Sequence, residues 1–213
     1  MRLFVAVVPP VPVREHLELA LASVRGAHDS RGPLRWAPAE DRHLTLAFYG
    51  EVSAGQAEDL SAGLDRVADQ HAPFEVRLRG AGVFDRRIFW IGCGGDVAAL
   101  GALTAGCVEL GESVTGRQDH RVRSRSHLTV ARVRGQSRAR PAGWAPRPTG
   151  PDDVAGLAHA LAVYEGPSWR VDQIVLISSR PGEGPSGGPA YDAVQAYPLR
   201  GPGDGASQHA VAG

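Results

Sequence analysis

Lysine is absent from this chain: all 23 basic residues are arginine. That excludes chemistry resting on a lysine amine, whether a Schiff base, an adenylated lysine or the lysine of a phosphate-binding loop. Cysteine is scarce. Cys93 and Cys107 show neither CxxC spacing nor a nearby histidine pair of metal-ligand type. Both read as small buried hydrophobes, Cys93 ending an apolar run and Cys107 on the stripe of a helix, so a reducing, cytoplasmic compartment is expected. HExxH and paired acidic motifs are missing too, so nothing in the sequence marks a metal-dependent hydrolase, and no metal or cofactor is expected. Excess charge of either sign is also lacking, since 23 basic residues meet 23 acidic ones. A nucleic-acid partner would be held locally, at a site or a strand end, because tracking a long phosphate backbone needs a strong positive excess. Met1 to Pro10 offers one charge, a short apolar run and then prolines, unlike a signal peptide or a membrane span. No membrane or protein partner is expected.

What is present describes an ordinary globular chain: 213 residues, 43% apolar and 22% charged, enough for one compact domain or two small lobes sharing a core. Arg2 to Val8 reads as a strand. Pro9, Pro10 and Pro12 break it before Val13, Leu17, Leu21 and Val24 recur at helical spacing. Asp29 to Pro33 is a loop, Arg35 to Ala37 a short extended piece, and His43 to Phe48 a second strand ending at Gly50. Ser53 and Gln56 form a capping box for a helix that turns Leu60, Leu64 and Val67 inward. Phe74 to Leu78 and Ile88 to Cys93 are strands, and Val97, Leu100, Leu103, Cys107 and Leu110 mark a helix. His127 to Val133 is a strand, Arg134 to Pro151 the main interior loop, and Asp152 to Val163 a further helix. Trp169 to Ser178 and Ala190 to Leu199 read as closing strands. Residues 1–199 are expected to form one domain and the Gly/Pro-rich residues 200–213 a disordered tail.

Two segments share a pattern: His43-Leu44-Thr45-Leu46 and His127-Leu128-Thr129-Val130. Strand alternation puts the histidine and threonine of each on one face. With 8 histidines and 5 threonines in 213 residues, chance predicts roughly 0.2 His-x-Thr pairs. The surroundings repeat as well, because Val5 precedes His43 by 38 residues and Phe89 precedes His127 by the same 38. One motif alone reads as an amphipathic strand with a polar face. Two, in matching strand-helix-strand settings, predict related lobes whose motif strands pair across a cleft. The expected fold is α+β, bilobal and mostly antiparallel.

Such a cleft holds two imidazoles and two hydroxyls. Histidine's ordinary pKa of about 6.5 lets one ring be neutral and the other charged near neutral pH. The neutral ring takes a proton from water as it attacks phosphorus, the charged ring protonates the departing oxygen, and Thr45 and Thr129 donate to non-bridging phosphate oxygens. Arg132, at the end of the second motif, and Arg125, two residues before His127, are candidate phosphate clamps. Trp36, Phe48 and Tyr191 are candidate stacking platforms for a base, with core packing the competing role for each. The remaining histidines, His16, His28, His71, His120, His159 and His209, lack the motif and read as surface or capping residues.

These motifs resemble the paired HxTx signatures of the 2H phosphoesterases. Arg35-Trp36 before Pro38-Ala39-Glu40-Asp41, the run from His43 to Gly50, Gly82-Val83-Phe84, the run from His127 to Arg132, and Tyr191 are similar to the bacterial RNA 2′,3′-cyclic phosphodiesterases, which are often labelled 2′-5′ RNA ligases. The likeness spans residues 1–199. It implies a bilobal fold with a central cleft and metal-independent opening of a terminal 2′,3′-cyclic phosphate to a 2′-phosphomonoester. It also implies that His43 is the proton donor and His127 the proton acceptor. The partners implied are RNA 3′ ends or small cyclic-phosphate nucleotides. Ser126 departs from the proline that often precedes the second histidine in that family, and the Arg134 to Pro151 loop is long. Two other readings use the same cleft: a module that binds a nucleotide or RNA end without turnover, and a 2H enzyme for another small cyclic phosphate.

Overall fold

A computed structural model describes residues 1–25, 34–118, 126–134 and 151–201. Its strands are β1 (Arg2–Val7), β2 (Leu34–Trp36), β3 (Leu44–Glu51), β4 (Phe74–Phe84), β5 (Ile88–Gly95), β6 (His127–Val133), β7 (Glu165–Val171), β8 (Gln173–Arg180) and β9 (Ala190–Pro198). Its α-helices are α1 (Val11–Ala22), α2 (Ala54–Asp69), α3 (Val97–Thr115) and α4 (Pro151–Ala160). Residues 202–213 of the expected tail and most of the Arg134 to Pro151 loop lie outside the described residues.

Local chemistry sets the helix ends. Pro10 and Pro12 open α1, where a missing N–H costs nothing. Ser53 and Gln56 exchange both hydrogen bonds of a capping box at α2. The Asp96 carboxylate accepts from the Ala99 N–H at 2.8 Å to start α3, and Gly116, at φ 65°, ends it in the left-handed conformation. Leu100, Leu103, Cys107 and Gly111 form the buried stripe of α3. Gly63 lets α2 pack closely on α3, because a Cβ there would stand 2.2 Å from a Leu110 methyl and force that side chain to shift.

All strand pairs are antiparallel, in the order β7-β4-β5-β6-β3-β1-β8-β9, with β2 on the end of β6. β7 and β8 stand six places apart in that order, about 29 Å in a flat sheet. Asp172 alone separates them in sequence, so the sheet has to curl back on itself. This corrects the single strand expected over Trp169 to Ser178. No Gly or Pro interrupts Trp169 to Ser178, yet the chain changes sheet neighbours at Asp172, whose carbonyl accepts from the Leu199 N–H at 2.7 Å. β4 likewise runs on past Leu78, through Gly80 at φ 66° and a register shift before Ala81.

The main core lies between the sheet and the helices and includes Leu3, Val5, Leu44, Leu46, Leu128, Val130 and the helix stripes. A smaller apolar cluster of Phe4, Ala6, Val175 and Ile177, flanked by Phe48 and Tyr191, covers the opposite face of β1 and β8. That face floors a cleft.

Candidate active site

β3 and β6 meet in the middle of the sheet at one residue pair, Leu44 opposite Leu128. Both leucines are fully buried and occupy the same place in their motifs. Continued one residue either way, the antiparallel register sets His43 across from Thr129 and Thr45 across from His127. All four line one cleft of about 850 Å³.

A β-bulge follows each motif at the same place. Ala6 pairs with Thr45 and Val5 with Ala47, so Leu46 is the extra residue of β3. Trp90 pairs with Thr129 and Phe89 with Ala131, so Val130 is the extra residue of β6. Each lies three residues after its histidine. A bulge shifts the alternation by one, and therefore Phe48 and Arg132, five residues after the histidines, return to the cleft with His and Thr.

The two rings are seated differently. His43 Nδ1 lies 2.7 Å from the carbonyl oxygen of Asp41. A carbonyl only accepts, so Nδ1 carries the hydrogen and Nε2 is the nitrogen that can exchange a proton. The ring packs against Phe4, with centroids 4.7 Å apart, and edge-on to Tyr191 at 5.2 Å. His127, buried at the start of β6, meets Phe84 edge-on at 4.8 Å and Trp90 at 6.1 Å. Gly82 makes room for Trp90: a Cβ at that position would stand 2.3 Å from the indole ring.

The turn that carries the Asp41 carbonyl is anchored from below. Arg42, 1% exposed, donates to the Ala37 carbonyl at 3.0 Å and forms an ion pair with Glu18 of α1. Glu18 also pairs with Arg25 at 2.7 Å, and the Arg25 guanidinium lies over the Trp36 ring, 4.5 Å from its centroid. One carboxylate on α1 thus ties the turn before His43 to the aromatic wall on β2. Burial lowers the pKa of Arg42, and Glu18 opposes the shift. Burial raises the Asp41 carboxyl, and Glu40 adds to it.

Among the other expected residues, Trp36, Phe48, Tyr191 and Arg132 all line the cleft. Trp36 also packs edge-on against Phe89 at 6.0 Å, so it serves core and cleft together. The Tyr191 hydroxyl is raised by burial, with Arg132, Arg35 and Arg2 pulling it down and Asp41 pushing it up. Arg125 lies outside the described residues, as do His28, His120 and His209. His16 contacts the Tyr164 hydroxyl at 3.1 Å and His71 the Val67 carbonyl at 2.8 Å, both away from the cleft lining. Cys93 and Cys107 are free, their thiols pushed up by burial to about 11 and about 12. No group of three His, Cys, Asp or Glu side chains is placed to hold a metal among the described residues.

The sequence reading missed Arg2, Phe4, Arg35, Phe84, Trp90 and Ser179 as site residues. The first four and Ser179 line the cleft, and Trp90 backs His127. Phe4 and Ser179 lie on β1 and β8, which carry buried residues on both faces, so alternation there carries little information.

A model of the LigT-like phosphoesterases matches residues 8–90. An RNA 2′,3′-cyclic phosphodiesterase of Thermus thermophilus is 32% identical over 211 residues, covering 94% of this chain and 91% of the relative. One of Geobacillus stearothermophilus is 32% identical over 204 residues, covering 92% of this chain, which spans only 57% of that relative's length. The crystal structure of the Thermus thermophilus protein TT0787 superposes with a TM-score of 0.65 at 28% identity, covering 94% of this chain and 99% of that one. Fold, paired motifs and near full-length similarity agree, and the chain belongs to the LigT-like phosphoesterases of the 2H superfamily.

Proposed function

We propose that this phosphoesterase opens the 2′,3′-cyclic phosphate at an RNA 3′ end to a 2′-phosphomonoester by two-histidine acid–base catalysis. The observation that carries this reading is the meeting of two His-x-Thr faces in one cleft, about the Leu44–Leu128 pair. The names of the Thermus and Geobacillus relatives support the substrate class.

In this mechanism the cyclic phosphate sits between the two rings. Neutral His127 takes a proton from a water molecule as its oxygen bonds to phosphorus. The bond from phosphorus to O3′ breaks, and His43, charged, delivers its Nε2 proton to that oxygen. The Asp41 carbonyl suits His43 to this role, because it holds Nδ1 as a donor and leaves the proton exchange to Nε2. Thr45 and Thr129 donate to the two non-bridging oxygens as charge builds there, and Arg132 balances that charge. Phe48, Tyr191 and the cleft edge of Trp36 offer faces to the terminal base. Arg125 is assigned to phosphate by its position two residues before His127. Each turnover ends with the proton positions of the two rings exchanged, and solvent resets them.

The matching bulges at Leu46 and Val130 support reading residues 1–199 as one domain of two related lobes. Free thiols suit the cytoplasm, where we place the protein; Cys107 is buried, and Cys93, expected to be buried, is only half-buried.

The test is incubation in EDTA with an oligonucleotide ending in a 2′,3′-cyclic phosphate, followed by identification of the monoester. A 2′-phosphate formed at an undiminished rate is the expected result. Activity lost on chelation and restored by a divalent ion rules the mechanism out, and binding without turnover makes the cleft a recognition module.

A further inference from the structure

Arg35 of β2 and Arg132 of β6 are direct cross-strand partners, and both line the cleft. Like charges placed opposite each other on neighbouring strands, about 4.8 Å apart, repel. An anion between them turns that cost into two charge-assisted contacts. Arg35 is held for the task, since one guanidinium N–H donates to the Gly187 carbonyl at 2.9 Å, reaching from β2 to the β8–β9 connection across the cleft. Both arginines, like Arg2, act on the hydroxyl of Tyr191, whose ring stands edge-on to that of His43 at 5.2 Å.

The charge of the cleft exceeds what one cyclic phosphate needs. Its described lining holds Arg2, Arg35 and Arg132 against Asp41 and Asp85. With one imidazolium in the working state, the formal balance is two positive charges. A cyclic phosphodiester carries one negative charge, one fewer than this balance of the described lining.

Ribose chemistry says where a second negative charge would come from. C1′ and C4′ flank the ring oxygen, opposite the C2′–C3′ edge that faces the histidines, so the base and the 5′ substituent leave in different directions. The bulges set unlike groups on the two sides of the histidine pair, Phe48 after the first motif and Arg132 after the second. Phe48 suits the base, and the cross-strand pair Arg35 and Arg132 suits a phosphate.

We propose that Arg35, with Arg132 shared between sites, forms a second phosphate subsite that takes the phosphodiester 5′ of the terminal nucleotide. The preferred substrate is then an RNA end and not a free cyclic mononucleotide. This rests on the cyclic-phosphate reading above and adds a recognition element to it.

Three substrates test it: a nucleoside 2′,3′-cyclic phosphate, a dinucleotide ending in the same group, and that dinucleotide with a neutral methylphosphonate linkage. The wild-type kcat/KM for the charged dinucleotide should exceed that for its neutral twin by roughly tenfold, chiefly through KM, with the gap narrowing as salt rises. Arg35→Gln should close the gap and Arg35→Lys should keep part of it. Equal use of the two dinucleotides by the wild type overturns the proposal. So does an Arg35→Gln variant that loses the same factor on all three substrates. Turnover of none would remove the cyclic-phosphate reading instead. In that case the affinities of the charged and neutral dinucleotides bearing a terminal 2′-phosphate still decide the subsite, equal affinities counting against it.

Discussion

Leu46 and Val130 are the extra residues of two β-bulges, each three positions after a motif histidine and each buried in the core. Each bulge lets one strand present three residues to the cleft, at positions zero, two and five from the histidine. The motif that reads as His-x-Thr in the sequence is therefore a longer device in space, His-x-Thr-x-x-Phe on one strand and His-x-Thr-x-x-Arg on the other.

The room for Trp90 beside Gly82 gives the first prediction. Gly82→Val should push the indole off the His127 ring and lower kcat by about tenfold or more, with a smaller loss of thermal stability. Steady-state kinetics beside a melting curve decides it. A variant with normal kcat would show that Trp90 does not seat His127.

Two substitutions at the buried ion pair should differ in size. Glu18→Gln leaves Arg42 buried with its charge poorly matched and should cost about 2–4 kcal/mol. Arg42→Met leaves Glu18 partly exposed and still paired with Arg25, and should cost about 1 kcal/mol. Denaturant unfolding measures both, and the reverse order would contradict the anchoring role given to Glu18. Both should lower kcat more than they raise KM, since the turn they hold carries the Asp41 carbonyl.

Asp41 sets a pH dependence of stability. Its folded-state carboxyl is raised above the ordinary 3.8, so the folded state binds the proton more tightly than the unfolded chain. The penalty for burying the carboxylate is absent below pH 3.8 and grows as pH rises through the folded value. Asp41→Asn keeps the backbone carbonyl and should melt higher than the wild type at neutral pH. That advantage should fade on acidification, whereas an advantage that grew in acid would reverse the sign.

Much of this is legible in the residues. The β6 strand can be read to its true ends, the capping box at Ser53 and Gln56 by its chemistry, and the two motifs by their repetition. What stays hidden is tertiary. Strict alternation turns Phe48 and Arg132 away from the histidines, and only the bulges bring them back. The strand break at Asp172 has no Gly or Pro to mark it, and what changes there is the strand's sheet neighbours. Phe4 sits on β1, which carries buried residues on both faces, so its apolar character does not say which face meets the cleft.

The division of labour between the rings is the central claim, and a leaving-group experiment reaches it most directly. Wild-type kcat/KM should be bell-shaped in pH with both limbs near neutrality, as one imidazole must be charged and the other neutral. His43→Ala should be slower by orders of magnitude on the cyclic phosphate and lose mainly the high-pH limb. His127→Ala should be as slow and lose mainly the low-pH limb. A substrate with an activated leaving group at the 3′ position needs no protonation there. It should restore much of the His43→Ala activity and leave His127→Ala impaired. Rescue of His127→Ala alone would reverse the acid and base assignments, and rescue of neither would mean that the histidines bind phosphate without moving protons.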